Sequence, residues 1–277
     1  VTTNKNIHNN MIKNFLNILL GATIICATAS CSSMLTNTRT ITALSQGVQA
    51  MTLSNAQVQQ YVSEAVVQLD QQSQIAPANN AYTQRLNRLT KGITSVGDTP
   101  LNFKVYLTKE INAFACADGS VRVYSGLMDS MTDDEVMGII GHEIGHVGKE
   151  HSKNAMKQEL LNTAILNAAG SLNSTVASIT DSQLCELGKS FMSARYSRKQ
   201  ETEADDYAYD FLKASGKNPY NMILAFEKIK SLESAGTQQS AATYFTKMFS
   251  THPETDERIA HIQQRCTKDG YKRPANK

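Results

Sequence analysis

Apolar residues recur at the three-to-four-residue spacing of an amphipathic helix from Asn55 to Gln72, behind Ser54 as a candidate N-cap, and again from Tyr82 to Thr94. Both stretches predict packing helices. Between Asn102 and Ser125 the period changes. The runs FKVYLTK and NAFACADGSVRVYSG alternate apolar and polar positions, with Asp118-Gly119 as a hairpin turn signal between two strand-like segments. After Gly126 the pattern is helical almost to the end, punctuated by Gly216 with Pro219 and by His252-Pro253. This order predicts one α+β domain, mainly helical, with a small antiparallel sheet set among the helices.

The first thirty residues fall outside that pattern. Lys5 and Lys13, with no acid, precede or flank an apolar run from Phe15 to Ala29 that is broken only by Asn17 and small residues. A basic region followed by about fifteen apolar residues is a signal peptide rather than a membrane span. MIKNFLNILLGATIICATASC is complete without the residues ahead of it, so Met11 is the expected start. Thr28-Ala29-Ser30-Cys31 resembles a lipoprotein signal in which Cys31 is lipidated and becomes the new N-terminus, although Thr28 stands where leucine is commoner. Cleavage of a plain secretory signal is the competing reading. Ser32 and Ser33 are not the aspartate that retains such proteins at the inner membrane. An outer-membrane lipoprotein facing the periplasm is therefore expected, with inner-membrane or soluble periplasmic states as alternatives. The expected divisions are a signal at 1–30, a lipidated Ser/Thr/Gln-rich tether at 31–53, a folded domain at 54–270 and a polar tail at 271–277. The stretch from Ala164 to Ile179 carries Asn167 and Asn173 and is too polar for a second span.

Charge and cysteines narrow the partners. Losing Lys5 and Lys13 from 27 basic residues leaves 25, equal to the 25 acidic ones, so neither nucleic acid nor a polybasic membrane patch is implied. Cys116, Cys185 and Cys266 would remain after lipidation, an odd number whose spacing fits no cysteine-based metal site.

The chemistry is concentrated in GIIGHEIGHVGKEH, residues 138–151, which holds three of the six histidines. Thr132-Asp133-Asp134-Glu135 is a capping-box pattern that launches a helix through it. His142 and His146, at i and i+4, then share one face and can bind one ion, with Glu143 close enough to reach a water on it. A solvated polar face fits poorly, because Ile139, Ile140, Ile144 and Val147 surround the pair. Gly138, Gly141, Gly145 and Gly148 each cost about 1 kcal/mol against alanine, so something must press close to this backbone. A third ligand is needed. The metzincin spacing fails, since Lys149 and Ser152 occupy its glycine and histidine positions, and His151, one position early, reads as a helix-end or surface histidine. The segment Ser197–Leu212 offers Glu201, with Asp205 one turn on as a partner for a ligand histidine; Glu203 points about 200° away from Glu201. A merely acidic, solvated helix is the competing reading there.

Four motifs now stand in order: NAFA at Asn112–Ala115, HEIGH at His142–His146, ETEAD at Glu201–Asp205, and HPETDER at His252–Arg258. Together they resemble the zinc metallopeptidase family that includes HtpX and the CAAX prenyl endoproteases, most closely its soluble periplasmic lipoprotein branch of the LoiP/YggG type. The resemblance runs from about Ser54 to Ile262 and implies a zincin-like (gluzincin) domain with the small sheet at the active-site cleft. It implies one zinc per chain on His142, His146 and Glu201, Glu143 as general base and Asp205 behind a ligand. It also implies that His252 faces the metal and stabilises the oxyanion, with Arg258 shaping that side. Each has a plainer alternative: His252 as the residue before a proline-started helix, Arg258 as a surface charge. The strand holding Asn112, Ala113, Phe114 and Ala115 would lie beside the cleft and pair with substrate, or be an ordinary buried hairpin strand. The membrane-embedded relatives' spans are missing, so prenylated or transmembrane substrates are not implied.

The expected activity is zinc-dependent endopeptidase cleavage of unfolded or misassembled envelope proteins held in extended form. A periplasmic chaperone or outer-membrane assembly factor binding clients in the same cleft is the alternative, against which the presence of Glu143 argues. Expected partners are extended protein substrates, the membrane through the lipid anchor, and assembly or quality-control proteins, with no nucleic acid.

Overall fold

The computed structural model of the chain describes residues 39–42, 53–170, 176–236, 251–252 and 255–275. The signal, Cys31, most of the tether and Pro253 lie outside the described residues. Strand β1 (Arg39–Thr42) is followed by helix α1 (Asn55–Gln72), which starts where its cap chemistry says it should. The Ser54 hydroxyl accepts from Gln57 N–H, and the Gln57 side chain accepts in return from Ser54 N–H at 2.9 Å. Helix α2 (Ala81–Leu89) is capped by Asn80 and ends short of Thr94. The remainder of that stretch feeds a small hairpin of β2 (Ser95–Val96) and β3 (Thr99–Pro100), too brief to register as alternation.

The central sheet has three strands in the order β4 (Asn102–Tyr106), β6 (Ser120–Tyr124), β5 (Ala113–Ala115). The hairpin turn holds: Gly119 sits at φ +83, and β5 pairs antiparallel with β6. The expectation of a purely antiparallel sheet needs correction, because β4 runs parallel to β6. The chain leaves β4, reverses to form β5 on the far side, and returns through the middle. Side-chain alternation cannot report which neighbour a strand chooses.

Helices α3 (Ser125–Ser130), α4 (Asp133–Gly148), α5 (His151–Gly170), α6 (Asp181–Phe191), α7 (Arg198–Ala214), α8 (Tyr220–Gly236) and α9 (Thr255–Asp269) follow. Among the described residues only β7 (Val176–Ile179), antiparallel to β1, interrupts the helical pattern. The sheet is buried on both faces, and its period-two alternation feeds two cores. Val105, Ala113, Ala115, Val121 and Val123 face a core shared with α4, α7 and α8. Tyr106, Phe114, Cys116 and Tyr124 face a second one shared with α1, α5 and α6. Asp70 at the end of α1 ties that helix to the sheet, accepting from Arg122 Nε at 2.9 Å, Lys104 Nζ at 2.7 Å and the Tyr106 hydroxyl at 2.6 Å. Cys116, Cys185 and Cys266 are buried and free. Among the described residues no helix is long and apolar enough to cross a membrane.

Candidate metal centre

Helix α4 carries the HEIGH motif and is launched as its sequence predicts. The Thr132 hydroxyl accepts from Glu135 N–H while the Glu135 carboxylate accepts from Thr132 N–H at 2.7 Å. From Val136 to Val147 every residue is buried. The glycines explain how α7 comes so near. A Cβ on Gly145 would stand 2.8 Å from the Ala204 carbonyl oxygen, and one on Gly141 would stand 3.1 Å from the Phe211 ring. That close approach sets Glu201 and Asp205 against the two histidines.

Five groups converge. His142 Nε2 lies 3.0 Å from His146 Nε2 and 3.4 Å from Glu201 Oε2, and His146 Nε2 lies 3.6 Å from Glu201 Oε1. His252 Nδ1 completes the group at 3.2 Å from His142 Nε2 and 3.0 Å from Glu201 Oε1. A tetrahedral metal with bonds of about 2.0–2.1 Å spaces its ligand atoms by about 3.4 Å, so these separations fit one ion. Glu143 stands beside them, its Oε1 buried without a hydrogen bond and 3.5 Å from His252 Nε2.

Charge makes an independent test of the fit. Glu143, Glu201, Asp205 and Arg258 are exposed by only 3%, 1%, 0% and 6%. With the histidines neutral, as metal ligation would require, three ionised carboxylates and one guanidinium leave a buried charge of −2, which a divalent cation would cancel. Burial raises the Glu143 carboxyl above its ordinary value. Burial would raise Glu201 too, but His252 and His142 beside it hold it well below the carboxylate range. Burial and Arg258 push His142 down, yet hydrogen bonds to Asp205 and Glu201 prevail and lift it to about 9.

Asp205 accepts from His142 Nδ1 at 2.8 Å, leaving Nε2 to face the ligand group. Arg258 is not a surface charge. Its Nε and Nη2 donate to both Asp205 oxygens at 2.7 Å, its Nη1 is ion-paired with Glu201 Oε2 at 2.9 Å, and the guanidinium lies 4.4 Å from the Phe226 ring centre. It pairs with both carboxylates and reaches to within 3.2 Å of His142 Nδ1. Asn112, Ala113, Phe114 and Ala115 are buried at the edge of the three-stranded sheet. His151, read from the sequence as a helix-end or surface histidine, does open α5 but is not at the surface, and Tyr196 was not singled out at all. His151 is buried, with Nδ1 3.1 Å from His146 Nδ1, and Tyr196 stacks on the His146 ring at 3.8 Å and 22°. His151 had a signal, a third histidine close behind the pair; Tyr196 had none.

An HExxH helix whose histidines meet a glutamate from a second buried helix defines a metallopeptidase centre. Comparison with known proteins makes the assignment specific: the profile of peptidase family M48 matches residues 77–266, and the chain belongs to that family. It is 40% identical to the metalloprotease LoiP of Escherichia coli over 92% of this chain and 98% of that one. It is 37% identical to the metalloprotease YcaL of the same organism over 80% of this chain and 86% of the relative. The beta-barrel assembly-enhancing protease of Escherichia coli O157:H7 is 28% identical over 66% of this chain and 39% of its own. The protein is a metalloprotease, mainly helical with small sheets.

Proposed function

We propose that the chain is a zinc-dependent endopeptidase in which His142, His146 and Glu201 hold the ion and Glu143 is the general base. The observation that carries this reading is the convergence of donor atoms from His142, His146 and Glu201 within one ion's reach, with the unbonded Glu143 oxygen beside them. Zinc would supply Lewis acidity to the site. Glu143 takes the proton of the attacking water and returns it to the leaving amine, a role suited to a carboxyl raised by burial. His252, with one ring nitrogen toward the ligand group and the other toward Glu143, donates to the carbonyl oxygen as charge develops there.

Extended substrate pairs with β5. Tyr124 N–H donates to Asn112 O, and Cys116 N–H to Ser120 O. By antiparallel alternation, Ala113 and Ala115 therefore turn their peptide groups to the outer edge, where the Ser152 hydroxyl already donates to Ala115 O at 3.1 Å. Unfolded or misassembled envelope proteins are the substrates this supports, since an edge strand reads backbone rather than sequence. One relative is named for β-barrel assembly, and such barrels reside in the bacterial outer membrane. The signal pattern and Cys31 favour a lipid anchor at that membrane, facing the periplasm.

Cleavage of a disordered protein by the wild type and by Glu143→Gln, with zinc quantified in both, tests the reading. The expected result is about one zinc in each and cutting by the wild type alone. Zinc in both with cutting by neither would favour a client-binding role, and a wild type without zinc would refute the metal assignment.

A further inference from the structure

We infer that His151 and Glu203 are positioning residues for His146, so that the affinity of the buried centre for its metal depends on a glutamate at the protein surface. This rests on the proposal that His146 is a metal ligand through Nε2. The Nε2 atom faces His142 and Glu201, which leaves the imidazole proton on Nδ1. His146 Nδ1 lies 3.1 Å from His151 Nδ1, and His151 Nε2 lies 2.9 Å from Glu203 Oε2. With neutral rings, one proton arrangement satisfies all three contacts: His146 Nδ1–H donates to the bare His151 Nδ1, and His151 Nε2–H donates to Glu203. The reverse would put a proton on the nitrogen facing the ligand group and leave a bare His151 nitrogen against a carboxylate.

The two ligand histidines are therefore held differently. His142 meets Asp205 directly, and Asp205 is fully buried on Arg258. His146 reaches its carboxylate through a second imidazole, and that carboxylate is 39% exposed, 3.7 Å from Lys199 Nζ. A break in the helix makes the relay. Were α4 to continue, residue 151 would lie about 140° round from His146. Instead Glu150 adopts φ 60 in the left-handed region, and His151 opens α5 turned back toward His146. Tyr196 stacks on the His146 ring face, so the hydrogen bond along its edge is what remains to set its rotation.

The test measures zinc affinity of the full chain by competition with a chromophoric chelator, together with the visible spectrum of the cobalt-substituted protein. His151→Leu should weaken zinc binding by roughly 10–100-fold and alter the cobalt bands. His151→Gln, whose amide oxygen can accept from His146 Nδ1–H, should recover most of the affinity and the wild-type spectrum. Glu203→Leu, at a half-exposed helix position that leaves folding intact, should weaken binding several-fold, and Glu203→Gln should lie between it and the wild type. Wild-type affinity in Glu203→Leu, or equal losses in His151→Leu and His151→Gln, would overturn the inference while the metal site stood. A wild type that binds no zinc would overturn both.

Discussion

Replacing Gly145 with alanine probes the contact on which the centre is built. The added Cβ would stand 2.8 Å from the Ala204 carbonyl oxygen and 3.1 Å from both Ala204 Cα and Tyr207 Cβ, where ordinary contact begins at 3.4 Å. Two of these neighbours are backbone, so side-chain rotation cannot relieve the clash and α7 must retreat by about 0.6 Å, the shortfall from 3.4 Å. Alanine is worth about 1 kcal/mol over glycine in a helix interior. Overpacking costs about 1–3 kcal/mol, so the net effect on folding is a loss of at most about 2 kcal/mol. Metal binding suffers more, because ligand positions tolerate only about 0.2 Å and Glu201 and Asp205 ride on α7. Zinc affinity should fall at least ~10-fold, about 1.4 kcal/mol. Chelator competition and an apo-protein melt measure the two effects separately. Gly138→Ala is the control: its Cβ would meet Met222 on α8 at 3.3 Å, and affinity should hold. An apo melting temperature above wild type with unchanged zinc affinity in Gly145→Ala would refute the reasoning.

Arg258→Met should destabilise the fold by about 3–5 kcal/mol, read as a lower urea midpoint, because Asp205 and Glu201 lose a buried cation; an unchanged midpoint would contradict the pairing. Chelation should lower the melting temperature and added zinc restore it, by about 4 kcal/mol of stabilisation at a thousandfold excess over the dissociation constant; a melt insensitive to chelator would argue against a buried divalent ion. Burial would raise the Asp70 carboxyl, but Arg122, Lys104 and Tyr106 hold it below its ordinary value. A depressed folded-state pKa adds stability that is complete above about pH 4 and lost as pH falls below it. Asp70→Asn should therefore lower stability at neutral pH and flatten its decline in acid, and a decline as steep as wild type would exclude Asp70 as its source.

Much of the centre was legible because its information is local. The Thr132 capping box, the i and i+4 spacing of His142 and His146, and the Glu201 and Asp205 pair one turn apart each follow from helix geometry within a few residues. The four glycines of α4 announced a close neighbour, though not that it would be α7. Period-two alternation announced strands β4 to β6 and the turn at Gly119, but not the parallel pairing of β4. What only the tertiary structure decided depends on contacts between residues far apart in the chain. Arg258 on Asp205 and Glu201, Tyr196 on His146, the β1–β7 pair, and the return of His151 to His146 with Glu203 behind it leave no periodic trace. The sequence by itself determined which residues could meet a metal, since a helix repeats every 3.6 residues; how those residues are held was decided by packing, which sets distances that no repeat encodes.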